Sequence, residues 1–147
     1  MLRAIINLLT GRTAAVSAPQ MQHPEIGVVE FNAAAGEWST AGESEVSFVG
    51  LPGTAAGPDE SAVASLVARQ REVDRYWTMC ESDLRFIAEG FDSIPKGLPI
   101  RELYRVTAFA WGAEEWEVCF QTLDRHKWIY VAMQFSGDEL VSNSITT

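Results

Sequence analysis

The sequence has few cysteines and few basic residues. Its 147 residues include two cysteines, too few for a disulfide framework and typical of reduced thiols in a cytoplasmic protein. Only 11 lysines and arginines stand against 20 acidic residues, so the formal net charge is −9. Because recognition of a phosphate backbone requires a basic surface, we do not expect nucleic acid as a partner.

Long hydrophobic runs are also missing, and no window approaches the roughly 18 apolar residues of a membrane-spanning helix. The N-terminal stretch is interrupted by Asn7 and followed by Gly11 and Arg12, which argues against a secretory signal. Apolar residues recur there at helical spacing: Leu2, Ile5, Ile6, Leu8 and Leu9. Residues 1–22 are therefore predicted to form a short amphipathic helix, docked on the domain or on a partner, and a flexible tether. One arginine, Arg3, on so short a helix gives no stable membrane association.

The remaining composition is that of a folded protein. Hydrophobic residues make up 47% of the chain, with five Trp, seven Phe and three Tyr, which excludes a disordered chain. A chain of this length usually carries one core, so we expect a single domain over residues 23–147.

The charge is unevenly distributed along the chain. Residues 1–24 carry a net +2, and residues 69–147 hold nine basic and thirteen acidic groups. Between them, residues 25–68 contain seven acidic residues and no Lys or Arg: Glu25, Glu30, Glu37, Glu43, Glu45, Asp59 and Glu60. Such a stretch is either a solvated face or a patch that steers a basic partner.

The first half of the domain is predicted to contain two strands and one helix. Residues 26–31 and 43–51 have the composition and alternation of strands, which we expect to pair antiparallel. A helix of about 30 residues follows, with Gly57 as N-cap, Pro58 in the first turn and Gly90 as the C-terminal stop. No Pro or Gly lies between Pro58 and Glu89.

The second half alternates with period two and has short turns, which indicates an antiparallel meander. The predicted strands cover residues 103–111, 115–122, 127–135 and 140–145, and Gly137-Asp138 suits a type II′ turn. Residues 127–135 are apolar on both faces and should lie centrally, whereas the polar last strand should be an edge. The predicted fold class is α+β, with an N-terminal strand pair and one long helix packed on a C-terminal four-stranded antiparallel meander.

Chemical motifs are scarce. His23 and His126 are far apart, and Cys80 and Cys119 lack metal-ligand spacing, so we expect no metal, no cofactor and no catalytic residue. Cys80 lies on the apolar stripe of the helix and reads as a core residue.

Acidic and aromatic residues near turns are the candidates for an interaction surface. Trp111 and Trp116 flank a Gly-Ala-Glu-Glu turn, where exposed rings rimmed by acids would suit protein recognition, whereas Trp77 and Trp128 read as core. The candidate interaction residues are Glu43, Glu45, Trp111, Glu115, Trp116 and Glu117. Glu115 and Glu117 share a strand face, which either attracts a hard cation or is solvated.

Some features resemble small acidic bacterial families of unknown function, some of which look like immunity proteins of toxin systems. The matching features are the start at residues 23–27 (HPEIG), Trp38, the helix ending at Gly90, and the aromatic strand and Gly-Asp turn at residues 128–138. None of these is a catalytic motif, so the resemblance implies the fold outline and carries over no site.

Two functions follow as hypotheses. The first is a non-enzymatic interaction domain that binds a basic protein partner through its acidic surface, as an immunity-type inhibitor would. The alternative is a small enzyme or ligand-binding domain with a cleft between helix and sheet, using Glu115, Glu117, His126 or Arg105; it requires at least two of these to converge.

Overall fold

A computed structural model describes residues 18–147, so the predicted N-terminal helix at residues 2–9 lies outside the described residues. The described chain is α+β, with two five-stranded sheets and two α-helices. The strands are β1 (Gln20–His23), β2 (Gly27–Asn32), β3 (Glu37–Thr40), β4 (Ser47–Val49), β5 (Leu51–Thr54), β6 (Gly57–Pro58), β7 (Tyr104–Ala110), β8 (Glu115–Thr122), β9 (Tyr130–Ser136) and β10 (Glu139–Thr146). The helices are α1 (Glu60–Arg71) and α2 (Val73–Glu89), and a short 3-10 turn covers Ile100–Glu102.

The first sheet has the strand order β1-β2-β3-β5-β6, with antiparallel neighbours. Its central hairpin joins β2 to β3, and the Asn32 side chain accepts hydrogen bonds from the amides of Ala34 and Ala35 in the turn. The partner of β2 is therefore residues 37–40, and the predicted pairing with residues 43–51 is wrong. The sheet also begins earlier than expected, because β1 takes up residues 20–22 of the predicted tether.

The predicted strand at residues 43–51 is split at Gly50 between the two sheets. Gly50 has a φ of +84°, a left-handed conformation that glycine adopts without steric cost. Val49, before it, belongs to β4 of the second sheet, and Leu51, after it, belongs to β5 of the first. The change of backbone direction at this one glycine lets a continuous apolar run serve two sheets.

The second sheet has the order β10-β9-β8-β7-β4. The four-stranded antiparallel meander is confirmed, with β10 at its edge. Beyond the prediction, β4 adds a fifth strand that runs parallel to β7. The central position belongs to β8 rather than to β9, which lies one strand in from the edge. Gly137 has a φ of +57° between Ser136 and Glu139, which pair with each other, in agreement with the predicted turn.

Two helices replace the single long helix of the prediction. The chain breaks at Glu72, where φ is −93° and ψ is 17°. No helix-breaking residue stands there, but four consecutive polar residues, 69–72, interrupt the apolar stripe. The break allows each helix to follow a different partner: α1 contacts β5 of the first sheet, whereas Tyr76 and Trp77 of α2 pack against the second sheet.

The helix ends also differ from the prediction. Asp59, not Gly57, is the N-cap, and its carboxylate accepts a hydrogen bond of 2.9 Å from the Ser61 amide. Gly57 and Pro58 form β6 instead. Helix α2 ends at Glu89 as expected, but Gly90 keeps a right-handed conformation with φ −71°.

The main core lies between the helices and one face of the second sheet, here called the inner face. Tyr76 makes edge contacts with Trp116 and Phe135, at ring-centroid distances of 4.9 and 5.3 Å, and Trp77 packs edge-on against Phe120 at 4.8 Å. The core positions predicted for Trp77 and Cys80 are confirmed.

Trp128 was predicted to be a core residue, and this prediction is wrong. It precedes β9 and remains 40% exposed.

No helix within residues 18–147 is long and apolar enough to cross a membrane.

Candidate interaction surface

Residues 25–68, the acidic segment, carry seven carboxylates, and one of them, Glu60, is paired with a histidine among residues 18–147. His23 Nε2 lies 3.1 Å from Glu60 Oε1, an ion pair when the imidazole is protonated. The other six carboxylates form no ion pair with any residue that the structure describes. Their charges are therefore not neutralised locally.

Acidic residues outside this segment form several ion pairs with arginines. Ion pairs join Arg75 to Glu72 and Asp138, Arg85 to Glu81, Arg101 to Asp74, and Arg105 to Asp124. These pairs are exposed and contribute little stability individually. They engage five of the thirteen acids of residues 69–147, a part of the chain that also holds nine basic residues, whereas residues 25–68 contain no Lys or Arg. The net negative charge per residue is therefore highest in the acidic segment.

The first sheet directs part of this charge outward. Val29 and Phe31 of β2 point inward with Trp38 of β3, so the alternate residues Glu30 and Glu37 point outward. Glu30 pairs with Ser39, and Glu37 lies two positions before Ser39, so the two carboxylates are diagonal neighbours with their Cα atoms roughly 7–8 Å apart. Two like charges without a cation between them make this face strongly negative.

An exposed apolar side chain accompanies these carboxylates. Val28 lies on the same outward face of β2 and is 43% exposed. Its neighbour across β1 is Gln22. The outward face of the first sheet thus combines negative charge with a small apolar contact area.

Glu43 and Glu45 are both exposed in the loop at residues 41–46, between β3 and β4. The loop is fixed at its far end, because the Thr40 hydroxyl accepts a hydrogen bond of 2.9 Å from the Phe48 amide. Inside the loop, Ser44 donates to the carbonyl of Val46. The two carboxylates extend the acidic surface beyond the outward face of the first sheet.

The two candidate tryptophans differ in exposure: Trp116 is buried and Trp111 is half-buried. Trp116 is 1% exposed; its ring packs in the core and its indole N–H donates to the Gly137 carbonyl at 2.8 Å. It cannot present the exposed ring that sequence suggested. Trp111 is half-buried after β7, next to the Gly50 bend.

Glu115 and Glu117 lie on the face of β8 that points away from the helices, and only Glu115 is exposed. Glu117 is 7% exposed, and its Oε2 has no hydrogen-bond partner within residues 18–147. Burial raises the pKa of Glu117 above the ordinary glutamate value. No group of three or more His, Cys, Asp or Glu in that range is arranged to hold a metal ion.

The four residues of the alternative cleft do not converge. Arg105 Nη2 pairs with Asp124 at 3.0 Å, and His126 Nε2 lies 3.1 Å from the Glu102 carbonyl. Arg105 lies opposite Gln121 on β8, four residues and roughly 13 Å along the strand from Glu117. Glu117 also faces away from the helices, so it cannot line a cleft between helix and sheet.

Both thiols are poor nucleophiles in the folded protein. Cys80 and Cys119 are free and buried, and burial raises the pKa of each to about 12. Since the thiolate is the reactive species, neither side chain is activated at neutral pH.

The outward pair Glu30 and Glu37 is absent from the six candidates chosen from sequence. The alternation of β2, in which Val29 and Phe31 are buried, was the signal that could have found Glu30. Comparisons with protein-family models, with curated proteins and with solved structures found no match for this chain.

Proposed function

We propose that this protein is a non-enzymatic interaction domain that binds a basic protein partner through its acidic segment, in the manner of an immunity-type inhibitor. One observation supports this most strongly. Six carboxylates of residues 25–68 have no ion-pair partner among residues 18–147, and this segment contains no Lys or Arg, whereas residues 69–147 hold nine basic residues against thirteen acidic ones.

Unpaired surface carboxylates repel one another and so reduce stability slightly, while they create a negative potential around the first sheet. This potential favours a basic partner in two ways. It accelerates the association of the basic protein, and it disfavours binding of proteins whose surface is also negative. Val28, exposed next to Glu30 on the same face of β2, supplies apolar area of the kind that interface centres contain.

The binding role is also favoured by the poor support for catalysis. The thiols are buried, and Arg105 and His126 are bound to Asp124 and to a backbone carbonyl rather than to each other. Two free thiols are also in keeping with a cytoplasmic location, which we include in the proposal.

Charge reversal tests the proposal. Full-length protein is immobilised and exposed to extract from its native host at moderate salt, and proteins that it retains are compared between variants. The test variants are Glu43→Lys/Glu45→Lys and Glu30→Lys/Glu37→Lys. The control, Glu89→Lys/Asp92→Lys, makes the same change in net charge at two exposed carboxylates near the end of α2.

We expect wild type and the control to retain the same basic protein, and each test variant to lose most of it. Binding should weaken as salt rises, because exposed charges are screened over about 10 Å at 0.1 M salt. Retention of no basic protein by wild type, or equal retention by all variants, contradicts the proposal.

A further inference from the structure

Strand β10 leaves one edge of the second sheet open. It pairs with β9 on one side and has no second neighbour among the strands of residues 18–147. An open edge presents a row of backbone N–H and C=O groups with which another strand can pair.

The usual protections of an open edge are largely missing here. Natural edge strands are blunted by proline, by charged side chains, by short length or by a bulge. β10 spans eight residues, and residues 140–147 contain no proline and no charged side chain. Its bulge lies near the start, between Leu140 and Ser142, and the register with β9 is regular from there to Thr146. In a chain with a net charge of −9, this uncharged strip is where two copies approach with little electrostatic repulsion.

Exposed apolar side chains gather beside this edge. Five large hydrophobic residues are exposed within residues 18–147, and three of them are Phe86, Val141 and Ile145, at 79%, 51% and 47%. Ile145 lies opposite Val131 of the main core, so it points to the inner face. Val141, four positions earlier on the same strand, points the same way.

Helix α2 brings Phe86 to the same edge. The Asn143 side-chain amide lies 3.5 Å from the Asp83 carboxylate, which places this part of α2 alongside β10. Phe86 is three residues beyond Asp83, so it lies on the same side of the helix, one turn further on. Its exposed ring therefore adds to the apolar surface beside β10.

We propose that the protein forms a symmetric dimer in which β10 pairs antiparallel with β10 of a second copy, about a two-fold axis at Asn143. Such an interface uses the same surface on both copies, so it must be self-complementary. In this register Val141 of each copy lies opposite Ile145 of the other, across the seam between the two strands. Glu139 lies opposite Thr147, so no like charges face each other.

The side chains distinguish this register from its neighbours. Moving the axis by one residue would place Ile145 opposite Asn143 in one direction and opposite Glu139 in the other. Only the axis at Asn143 pairs the apolar Ile145 with the apolar Val141, and opposed apolar side chains are what stabilise neighbouring strands.

The pairing joins two five-stranded sheets into one continuous sheet, with both inner faces on the same side. Phe86 of each copy then lies beside the seam. The contact is little more than one strand wide, so it belongs with the small interfaces of weak, reversible complexes. The first sheet takes no part in it, and the acidic surface there stays free for the partner proposed above.

Two variants with charges at the seam test the pairing and its register. Val141→Lys/Ile145→Lys places two lysines opposite each other in each half of the dimer. Val141→Lys/Ile145→Glu, the matched control, places a lysine opposite a glutamate instead. Both positions are exposed, so neither variant disturbs the core.

Sedimentation equilibrium of the full-length proteins, from about 1 μM to about 1 mM, gives the dissociation constant of each dimer. We expect wild type to dimerise within this range. The variant with two lysines should have a dissociation constant about tenfold or more above that of the control, because like charges face each other in one and opposite charges in the other. The lysines also reduce the net charge from −9 to −7, so a general charge effect would act in the opposite direction.

A cysteine at the axis gives a second measurement of the register. The Cα atoms of the two copies of residue 143 would lie about 4.5–5.5 Å apart, within the range of a disulfide. Asn143→Cys should therefore form a disulfide-linked dimer under mild oxidation. Glu139→Cys should not, because its two copies would lie eight positions and roughly 27 Å apart along the seam. Both variants keep Cys80 and Cys119, so a cross-link through these thiols would appear equally in the control.

Three results would overturn the proposal. The first is wild type that stays monomeric up to about 1 mM, which would leave the edge to another occupant, such as residues 1–17 or a strand of a different protein. The second is an equal dissociation constant for the two charge variants, because the dimer would then use another surface. The third is equal cross-linking of the two cysteine variants, because it would mean random collision rather than pairing about residue 143.

Discussion

Arg69 joins helix α1 to the turn between β7 and β8. Its Nη1 donates a hydrogen bond of 2.9 Å to the Gly112 carbonyl, and its Nη2 lies 3.4 Å from the carbonyl of Ala113. The guanidinium also lies over the Trp116 ring, 4.3 Å from its centroid. One side chain thus holds the end of the helix, a tight turn and a core aromatic together.

Replacing Arg69 by Met keeps the aliphatic stem over Trp116 and removes the guanidinium. Loss of a hydrogen bond from a charged donor costs about 1.5–3 kcal/mol, and loss of the cation–π contact costs about 0.5–1 kcal/mol. Part of this loss of stability is offset, because the substitution also removes the cost of burying a charged group; this burial disfavours the charged form and lowers the pKa of Arg69. We therefore expect Arg69→Met to reduce the free energy of unfolding by about 2 kcal/mol.

Arg71→Met is the matched control. Arg71 lies in the same last turn of α1 but is exposed, so the interaction with the helix dipole changes similarly in both variants. Unfolding in urea, followed by tryptophan fluorescence, gives the midpoint and slope for each protein. The Arg69 variant should also melt roughly 4–8 °C below the control.

The reasoning fails if the two variants have the same midpoint. It also fails if Arg69→Lys is as stable as wild type, because a lysine cannot reach two carbonyls and stack on the indole together. A change in slope would point instead to an altered unfolded state.

Two further substitutions test local features. A Cβ at Gly53 would lie 2.5 Å from the Gly57 carbonyl oxygen, so Gly53→Ala should lower the free energy of unfolding in urea by about 2 kcal/mol or more. The control is Gly90→Ala, at an ordinary φ of −71°, which should change this free energy by about 0.5 kcal/mol or less. Asp59→Ala removes the N-cap of α1. Hydrogen bonds from Ser61 lower the pKa of Asp59, so the charged cap stabilises the fold above the unfolded-state pKa and loses this effect as pH falls through the folded-state value. Wild type should therefore melt above Asp59→Ala at pH 7, the gap should narrow at about pH 2, and a gap that is unchanged by pH would refute this assignment.

Local patterns predicted the parts of the fold that depend on local contacts. The meander follows from alternation and short turns, and the β10 edge follows from polar residues such as Ser142 and Ser144. The break at Glu72 is not predicted from Pro and Gly, because neither residue stands there; its only signal in the sequence is a gap in the apolar stripe. Helix propensity alone would continue through this gap; packing against two different sheets stops it.

The split at Gly50 could not be read from alternation. The two residues on either side of Gly50 are apolar, and the choice of sheet depends on contacts with β3 and β7, which lie far apart in sequence. The acidic segment was found by counting charge, but which acids are unpaired depends on where arginines such as Arg75 and Arg101 fall in space. Trp116 was misplaced because a turn nearby does not determine which way a strand residue points.

The pairing of β4 with β7 has a consequence for how the chain folds. Phe48 meets Phe109 in this parallel ladder, and both helices and the connector lie in the loop that it closes. Closing so long a loop costs entropy before any contact repays it, whereas the hairpins β2–β3 and β8–β9 can form locally. We expect this ladder to form late and to set the folding rate, as high contact order does. A nascent chain that has not yet added β7 would therefore hold β4 as an unpaired edge.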